Sequence, residues 1–148
     1  MSVVDINALL RARFSAGAPL QIPPPCLLDM QGEVVEYVEG ESLRMRFPVL
    51  ARYQNPIGHM QGGFIVAALD NTLGPFSYLI APPSATTSLN TQYLRPVTPE
   101  VGHIVCTARL VERTRGQLHL AGEVRDPDGK VLALCQAVCQ ILPERPAR

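Results

Sequence analysis

With 148 residues the chain has the length of one domain and can bury a core without disulfide or metal staples. Its 13 basic and 13 acidic residues cancel, which removes the electrostatic case for nucleic acid as the main partner. The basic side chains are nearly all Arg, with Lys130 the single Lys, a set suited to local phosphate or carboxylate contacts. Cys26, Cys106, Cys135 and Cys139 form no C-x-x-C pair and have no His at ligand spacing, so they read as buried reduced thiols and no metal site is expected. The N-terminus has no basic segment followed by an apolar run. Phe64 to Ile80 reads as too short, and too interrupted by Asp70, Asn71, Gly74 and Pro75, to span a bilayer. A soluble, cytoplasmic protein with no membrane partner is the expectation.

In chain order, Ser2-Val-Val-Asp5 has the spacing of a capping box in acidic form. Val3, Ile6, Leu9, Leu10 and Phe14 then make one apolar face, which predicts an amphipathic helix over residues 2–16, ending before Gly17 and Pro19. Pro23, Pro24 and Pro25 predict an extended, non-helical connector. Residues 33–39 and 42–50 read as a hairpin turning at Gly40, with Leu43, Met45, Phe47 and Val49 alternating onto one face. After Pro82-Pro83 come four strand signals, at 85–95, 103–113, 117–125 and 130–142. Arg113-Thr-Arg-Gly116 and Asp126-Pro-Asp-Gly129 are hairpin turn sequences, so the last three strands should be antiparallel neighbours. A frayed tail is expected over 143–148.

Between the two strand groups lies the stretch from Asn55 to Ile80, which opens with turn chemistry and a Gly pair and then becomes an apolar run broken by Asp70. A helix starting near Gln61–Gly63 leaves its first N–H groups without intrahelical partners, and Gly62 and Gly63 let a ligand approach them. Every residue from Phe64 to Leu69 is apolar, so the helix should be wrapped by other elements and Asp70 should be at least half buried. A buried carboxylate needs hydrogen bonds, a raised pKa or a wet cleft. It can equally be a structural Asp bonded to neighbouring backbone or to Asn71 and Thr72. Pro75 should end or kink the helix, with disturbance between Asn71 and Pro75. The whole predicts an α+β layout in which one antiparallel sheet curls around a long central helix, with the helix face left over covered by a second subunit.

At these residues the sequence resembles the hotdog-fold acyl-CoA thioesterases of the phenylacetate-degradation type, which share the fold of 4-hydroxybenzoyl-CoA thioesterase. That family's motif, N-x-x-G-x-x-H-G-G followed by an acidic residue on the central helix, is met by Asn55, Gly58, Gly62, Gly63 and Asp70. A second signature, T-x-x-L-N-x-x-Y/F-L-R-P, appears as Thr86 to Pro96. The resemblance covers about residues 32–142 and implies a single hotdog domain, a curved sheet of five or six strands around the long helix, with the short N-terminal helix added in front.

The resemblance also implies a chemistry. The Gly62 N–H would bind the thioester carbonyl oxygen, Asp70 would serve as general base or nucleophile, Thr86 would position the water, and Asn55 and Gln61 would help polarise the reacting group. Coenzyme A enters as part of the substrate, and no separate cofactor is implied. Asp70 and Gly62 are eight residues apart, about 12 Å on one helix, so one copy cannot easily supply both groups. The family answers with a dimer in which one subunit's helix start meets the other's acid, and dimers can pair further into tetramers. The chain departs from the motif at one place: Gln61 stands where the pattern has His, and His59 sits two positions early. Gln can donate an amide N–H but cannot titrate, and related hotdog thioesterases also carry Gln near this place.

Gly63 is a candidate substrate contact, His59 is either loop structure or a substrate contact, and Arg95, Arg109, Arg113 and Arg115 are candidate contacts for coenzyme A phosphates. Any one of these arginines can equally be solvated surface. His103 and His119 fall on strands and read as structural. Ser77 and Ser84 lack a G-x-S-x-G setting, which argues against a serine hydrolase. The leading expectation is therefore an acyl-CoA thioesterase. A non-catalytic binder of acyl-CoA or a small apolar ligand is the alternative, and a hotdog hydratase or dehydratase ranks behind both because no His stands at the motif position.

Overall fold

A computed structural model describes residues 4–14 and 20–143. The elements are α1 (Ile6–Arg13), α2 (Pro25–Asp29), β1 (Glu33–Val38), β2 (Ser42–Pro48), α3 (Gly62–Ile80), β3 (Ser84–Tyr93), β4 (His103–Arg113), β5 (Gln117–Arg125) and β6 (Val131–Ile141), with short 3₁₀ turns at Ala51–Tyr53 and Pro99–Val101. The strands form one six-stranded sheet in the order β1-β2-β4-β5-β6-β3, and every pairing is antiparallel.

The β4, β5 and β6 meander is as expected, and its β5–β6 turn owes its shape to named groups. Asp126 Oδ1 accepts from the N–H groups of Asp128 and Lys130, while Gly129 takes a φ of 87° that a side chain would strain. By contrast, β3 does not join β4, its successor in the chain. It crosses to pair with β6 and so becomes an edge, a step that local turn signals do not encode.

The sheet wraps α3, giving the α+β hotdog arrangement. Ile65, Ala68, Leu69, Thr72, Leu73 and Phe76 form its buried stripe, at the helical spacing of three and four that turns one face to a core. They meet Leu43, Met45 and Phe47 of β2, Ile104, Cys106 and Ala108 of β4, and Leu118, Leu120 and Val124 of β5 in one cluster of buried side chains. By length and composition α3 could cross a membrane, contrary to expectation. Its placement against the sheet makes it the core helix of this fold.

Four local expectations change. Asp5, not Ser2, caps α1, accepting from the Ala8 N–H; Ser2, Val3, Gly17 and Pro19 lie outside the described residues. Within α1, Ile6 and Leu10 are buried but Leu9 is exposed, because a face seated on one neighbour covers a narrower arc than the apolar run. Pro25 opens α2 at its first position, where the missing N–H has no intrahelical partner to lose. Finally, α3 runs through Pro75 to Ile80. A proline inside a helix costs about 3 kcal/mol, and the burial of Leu73, Phe76 and Leu79 on the sheet side offsets that.

The last turn of α3 is held by arginines from two directions. Arg13 donates to the carbonyls of Leu79 and Ala81 at 3.0 and 3.2 Å, and Arg113 donates to that of Ile80 at 3.2 Å. Cations at this end satisfy the otherwise unpaired carbonyls and complement the helix dipole.

Candidate active site

The start of α3 is assembled by the loop before it. Asn55 Oδ1 accepts from the N–H groups of Ile57 and His59 at 3.1 and 3.0 Å, and the Asn55 N–H donates to the His59 carbonyl at 2.7 Å. Asn55 therefore closes a tight turn, and His59 belongs to the same turn. The N–H groups of Phe64 and Ile65 both turn back to the Gln61 carbonyl. Gly62 and Gly63 thus carry the N–H groups that precede the first intrahelical bonds. Space around Gly63 is open, with nothing beyond the adjoining helix backbone within 4 Å of where a Cβ would stand. Gln61 occupies the N-cap position with an exposed side chain that makes no capping bond.

Two turns further along α3, Asp70 is exposed on the single chain, against the expectation that its apolar neighbours would bury it. The sheet buries the stripe containing Leu69 and Leu73, and Asp70 lies beside that stripe, at the edge strand β3, where its side chain stays open to solvent. Asn71 and Thr72, offered as its partners, instead bond the carbonyls of Ala67 and Ala68. The carboxylate is met by Thr86, whose Oγ1 donates to Asp70 Oδ1 at 3.3 Å.

A bulge makes that contact possible. In β3, Thr86 pairs with Cys139 and Ser88 with Val138, leaving Thr87 as the extra residue. The slip puts Thr86 on the helix-facing side with Leu89, Thr91 and Tyr93, despite the odd spacing between Thr86 and Leu89.

Tyr93 is a site residue that sequence reasoning passed over. Its hydroxyl donates to the Gly62 carbonyl at 3.0 Å, and a Cβ at Gly62 would lie 2.9 Å from the Tyr93 hydroxyl and ring. Its place in the second signature was the one available signal. Cys135 and Cys139 also lie near Asp70. Burial pushes the Cys135 thiol up to about 11, with a further push from the Asp70 charge, and burial likewise raises Cys139. Thiols so shifted stay protonated at neutral pH and are poor nucleophiles.

The remaining candidates are dispersed. Arg95 donates to the Val131 carbonyl at 2.6 Å. Arg113 caps the far end of α3, 18 residues from Gly62 and about 27 Å along the helix. Arg115 is exposed in the β4–β5 turn. His119 Nε2 lies 3.2 Å from Gln117 Oε1 on β5. Among the described residues no group of three or more His, Cys, Asp or Glu is arranged to hold a metal ion. Within one chain, then, the acid with its Thr and the helix start with its Tyr stand apart, two turns from each other along α3.

No curated protein sequence matches the chain. Solved structures do. The phenylacetic acid degradation-related protein of Ralstonia eutropha JMP134 is 27% identical, with 92% of this chain and 98% of that one covered, at a TM-score of 0.76. The E. coli PaaI protein from the phenylacetic acid degradation operon covers 96% of this chain and 97% of its own, at a TM-score of 0.77 and 15% identity. A variant of PaaI from Thermus thermophilus matches 80% of this chain over 100% of its own, at a TM-score of 0.74 and 23% identity. The last two likenesses are of fold. The sequence profile of the thioesterase superfamily matches residues 57–133, a span that holds the Gly pair, Asp70, Thr86 and Tyr93. The chain is a hotdog-fold protein and belongs to the thioesterase superfamily.

Proposed function

We propose that the protein is an acyl-CoA thioesterase working as a homodimer, with each active site built from the helix start of one protomer and the Asp70–Thr86 pair of the other. The observation that carries this is the separation of the half-sites. The Gly62–Gly63 donors lie about 12 Å from Asp70 along α3, yet each half is open and chemically complete for one role. β3, which bears Thr86 and Tyr93, is an edge strand, and Tyr93 and Leu94 are 54% and 48% exposed beside it. Joining two copies along β3 would cover that edge and bring the halves together.

In such a site the Gly62 N–H, with Gly63 beside it, receives the thioester carbonyl oxygen and stabilises the oxyanion as it forms. Asp70 of the other protomer accepts a proton from the attacking water, or attacks the carbonyl carbon itself, and Thr86 orients the carboxylate and the water. Gln61 contributes an amide N–H to polarisation. Asn55 acts chiefly by shaping the turn that presents the Gly pair, since its Oδ1 is already engaged. His59, Arg95, Arg113 and Arg115 supply rim contacts for the coenzyme A moiety, with Arg115 the best presented of the three arginines. The protein acts in the cytoplasm, and dimers can pair into tetramers.

Free-thiol release from short, long and aromatic acyl-CoAs tests this. Turnover by the wild type that Asp70→Asn abolishes is the expected result, and full activity in Asp70→Asn would remove the assigned base. A non-catalytic acyl-CoA binder is favoured by one observation, the non-titrating Gln61 at the N-cap. That reading predicts a raised melting temperature with acyl-CoA and no thiol release from any substrate.

A further inference from the structure

The N–H pair at the start of α3 is aimed by residues outside the site. The Tyr53 carbonyl accepts the Gln61 N–H at 2.8 Å, and the Tyr53 ring stacks on Phe64 with centroids 4.0 Å apart and an interplanar angle of 14°. Gln61 and Phe64 flank Gly62 and Gly63, so Tyr53 grips the helix start on both sides of the donor pair. Tyr53 is itself buried, at 4% exposure, and it is gripped in turn. Its hydroxyl donates to Asp29 Oδ2. Arg52 donates to Asp29 Oδ1 at 3.1 Å and to the Asp29 carbonyl at 2.8 Å, with its guanidinium 5.2 Å from the Tyr53 ring centroid.

We infer that Asp29, at the end of α2, is a positioning residue that sets the direction of the Gly62 and Gly63 N–H groups through Tyr53 and Phe64. This rests on the reading of those N–H groups as donors to the thioester oxygen. The arrangement suits the task physically. The Tyr53 hydrogen bond, together with the Arg52 charge, holds the Asp29 carboxyl below its ordinary range. Burial and the Asp29 bond hold the Tyr53 phenol above its own. Donor and acceptor therefore keep their roles across the neutral range, and a stacked ring transmits orientation with little slack. Asp29 and Tyr53 both lie before residues 57–133 matched by the superfamily profile. A misaimed oxyanion donor weakens the transition state more than the bound substrate, so the signature is a fall in kcat with KM preserved.

The test compares wild type, Asp29→Ala, Asp29→Asn, Tyr53→Phe and the Asp29→Ala/Tyr53→Phe double variant, all well below their melting temperatures. Two readouts are taken: steady-state thiol release from the acyl-CoA the wild type turns over best, and the amide ¹H–¹⁵N resonances of Gly62 and Gly63. Asp29→Ala should lower kcat about 10-fold with KM within about 2-fold. Asp29→Asn, which keeps an acceptor, should recover part of it, and the double variant should be no worse than the stronger single one. Both Gly resonances should move in Asp29→Ala. Unchanged kcat, or unmoved Gly resonances, in a folded Asp29→Ala protein overturns the inference, even if its melting temperature falls. If the wild type hydrolyses no thioester, the proposed activity fails separately, and the Gly resonances still decide whether Asp29 sets the helix start.

Discussion

Thr86 Oγ1 donates to Asp70 Oδ1 across 3.3 Å, joining the edge strand β3 to the middle of α3 at a point open to solvent. A single hydrogen bond on an exposed carboxylate contributes little to folding, about 1 kcal/mol or less. Asp70→Asn should therefore leave the melting temperature within a few degrees of wild type while cutting kcat by about 10²-fold or more, the usual scale for a general base. Thr86→Val should lose less, about 10-fold, and Thr86→Ser should recover most of that. Thiol-release kinetics beside thermal melts separate the two effects.

The two glycines at the start of α3 should respond in opposite ways. Gly63 has open space where a Cβ would go, so Gly63→Ala should match or exceed wild-type stability, by up to about 1 kcal/mol, while the methyl obstructs an approaching carbonyl and lowers turnover. Gly62→Ala would drive its Cβ into the Tyr93 ring at 2.9 Å. Moving that ring breaks the Tyr93–Gly62 hydrogen bond, and a loss of about 1–3 kcal/mol is expected. Urea denaturation of both variants checks the contrast.

A site shared between protomers permits complementation. Asp70→Asn and Gly63→Val should each be nearly inactive, yet co-expressed or refolded together they should regain about a quarter of wild-type activity. Half the dimers are then mixed, and each mixed dimer holds one intact site of two. A mixture with no recovery would place both groups in one protomer.

The thiols should divide sharply by exposure. Cys26 is exposed and the other cysteines are buried, so a disulfide reagent at neutral pH should titrate one thiol in the native protein and four after unfolding. Burial raises Cys135 from 9.0 to about 11 and pushes Cys106 higher still. A folded-state pKa above the unfolded value means the unfolded chain releases its protons first as pH rises. The contribution of Cys135 is present in full below about pH 9 and is lost upward through 11, and that of Cys106 is lost at still higher pH. The urea midpoint should decline over that window, and less so in Cys135→Ala.

Packing beneath α3 offers a paired test. A Cβ at Gly122 would lie 2.5 Å from Cys135 Sγ and 3.2 Å from Leu69. Gly122→Ala should destabilise by about 1–3 kcal/mol, and adding Cys135→Ala should restore part of it by vacating the sulfur's volume. Calorimetric melting of the single and double variants reads out the coupling.

Much of this protein is determined locally and was legible without coordinates. The 103–113 and 117–125 strands match β4 and β5, because alternation and the Arg113–Gly116 and Asp126–Gly129 turns act over a few residues. The start of α3 was legible because Gly62 and Gly63 follow turn chemistry. Asp70 stood out because a carboxylate in an apolar run demands an explanation. Tertiary structure alone decided what depends on distant partners. The crossing of β3 to β6 is set by the sheet as a whole, and no turn residue encodes it. The bulge at Thr87 brings Thr86 to Asp70, and a one-residue slip leaves no mark in a Thr-Thr-Ser run. Packing carried α3 through Pro75, where local chemistry alone would end the helix. The exposure of Asp70 follows from where the sheet stops covering α3. A carboxylate's neighbours in sequence report which residues surround it along the chain, while its solvent is fixed by surfaces that only the folded chain brings together.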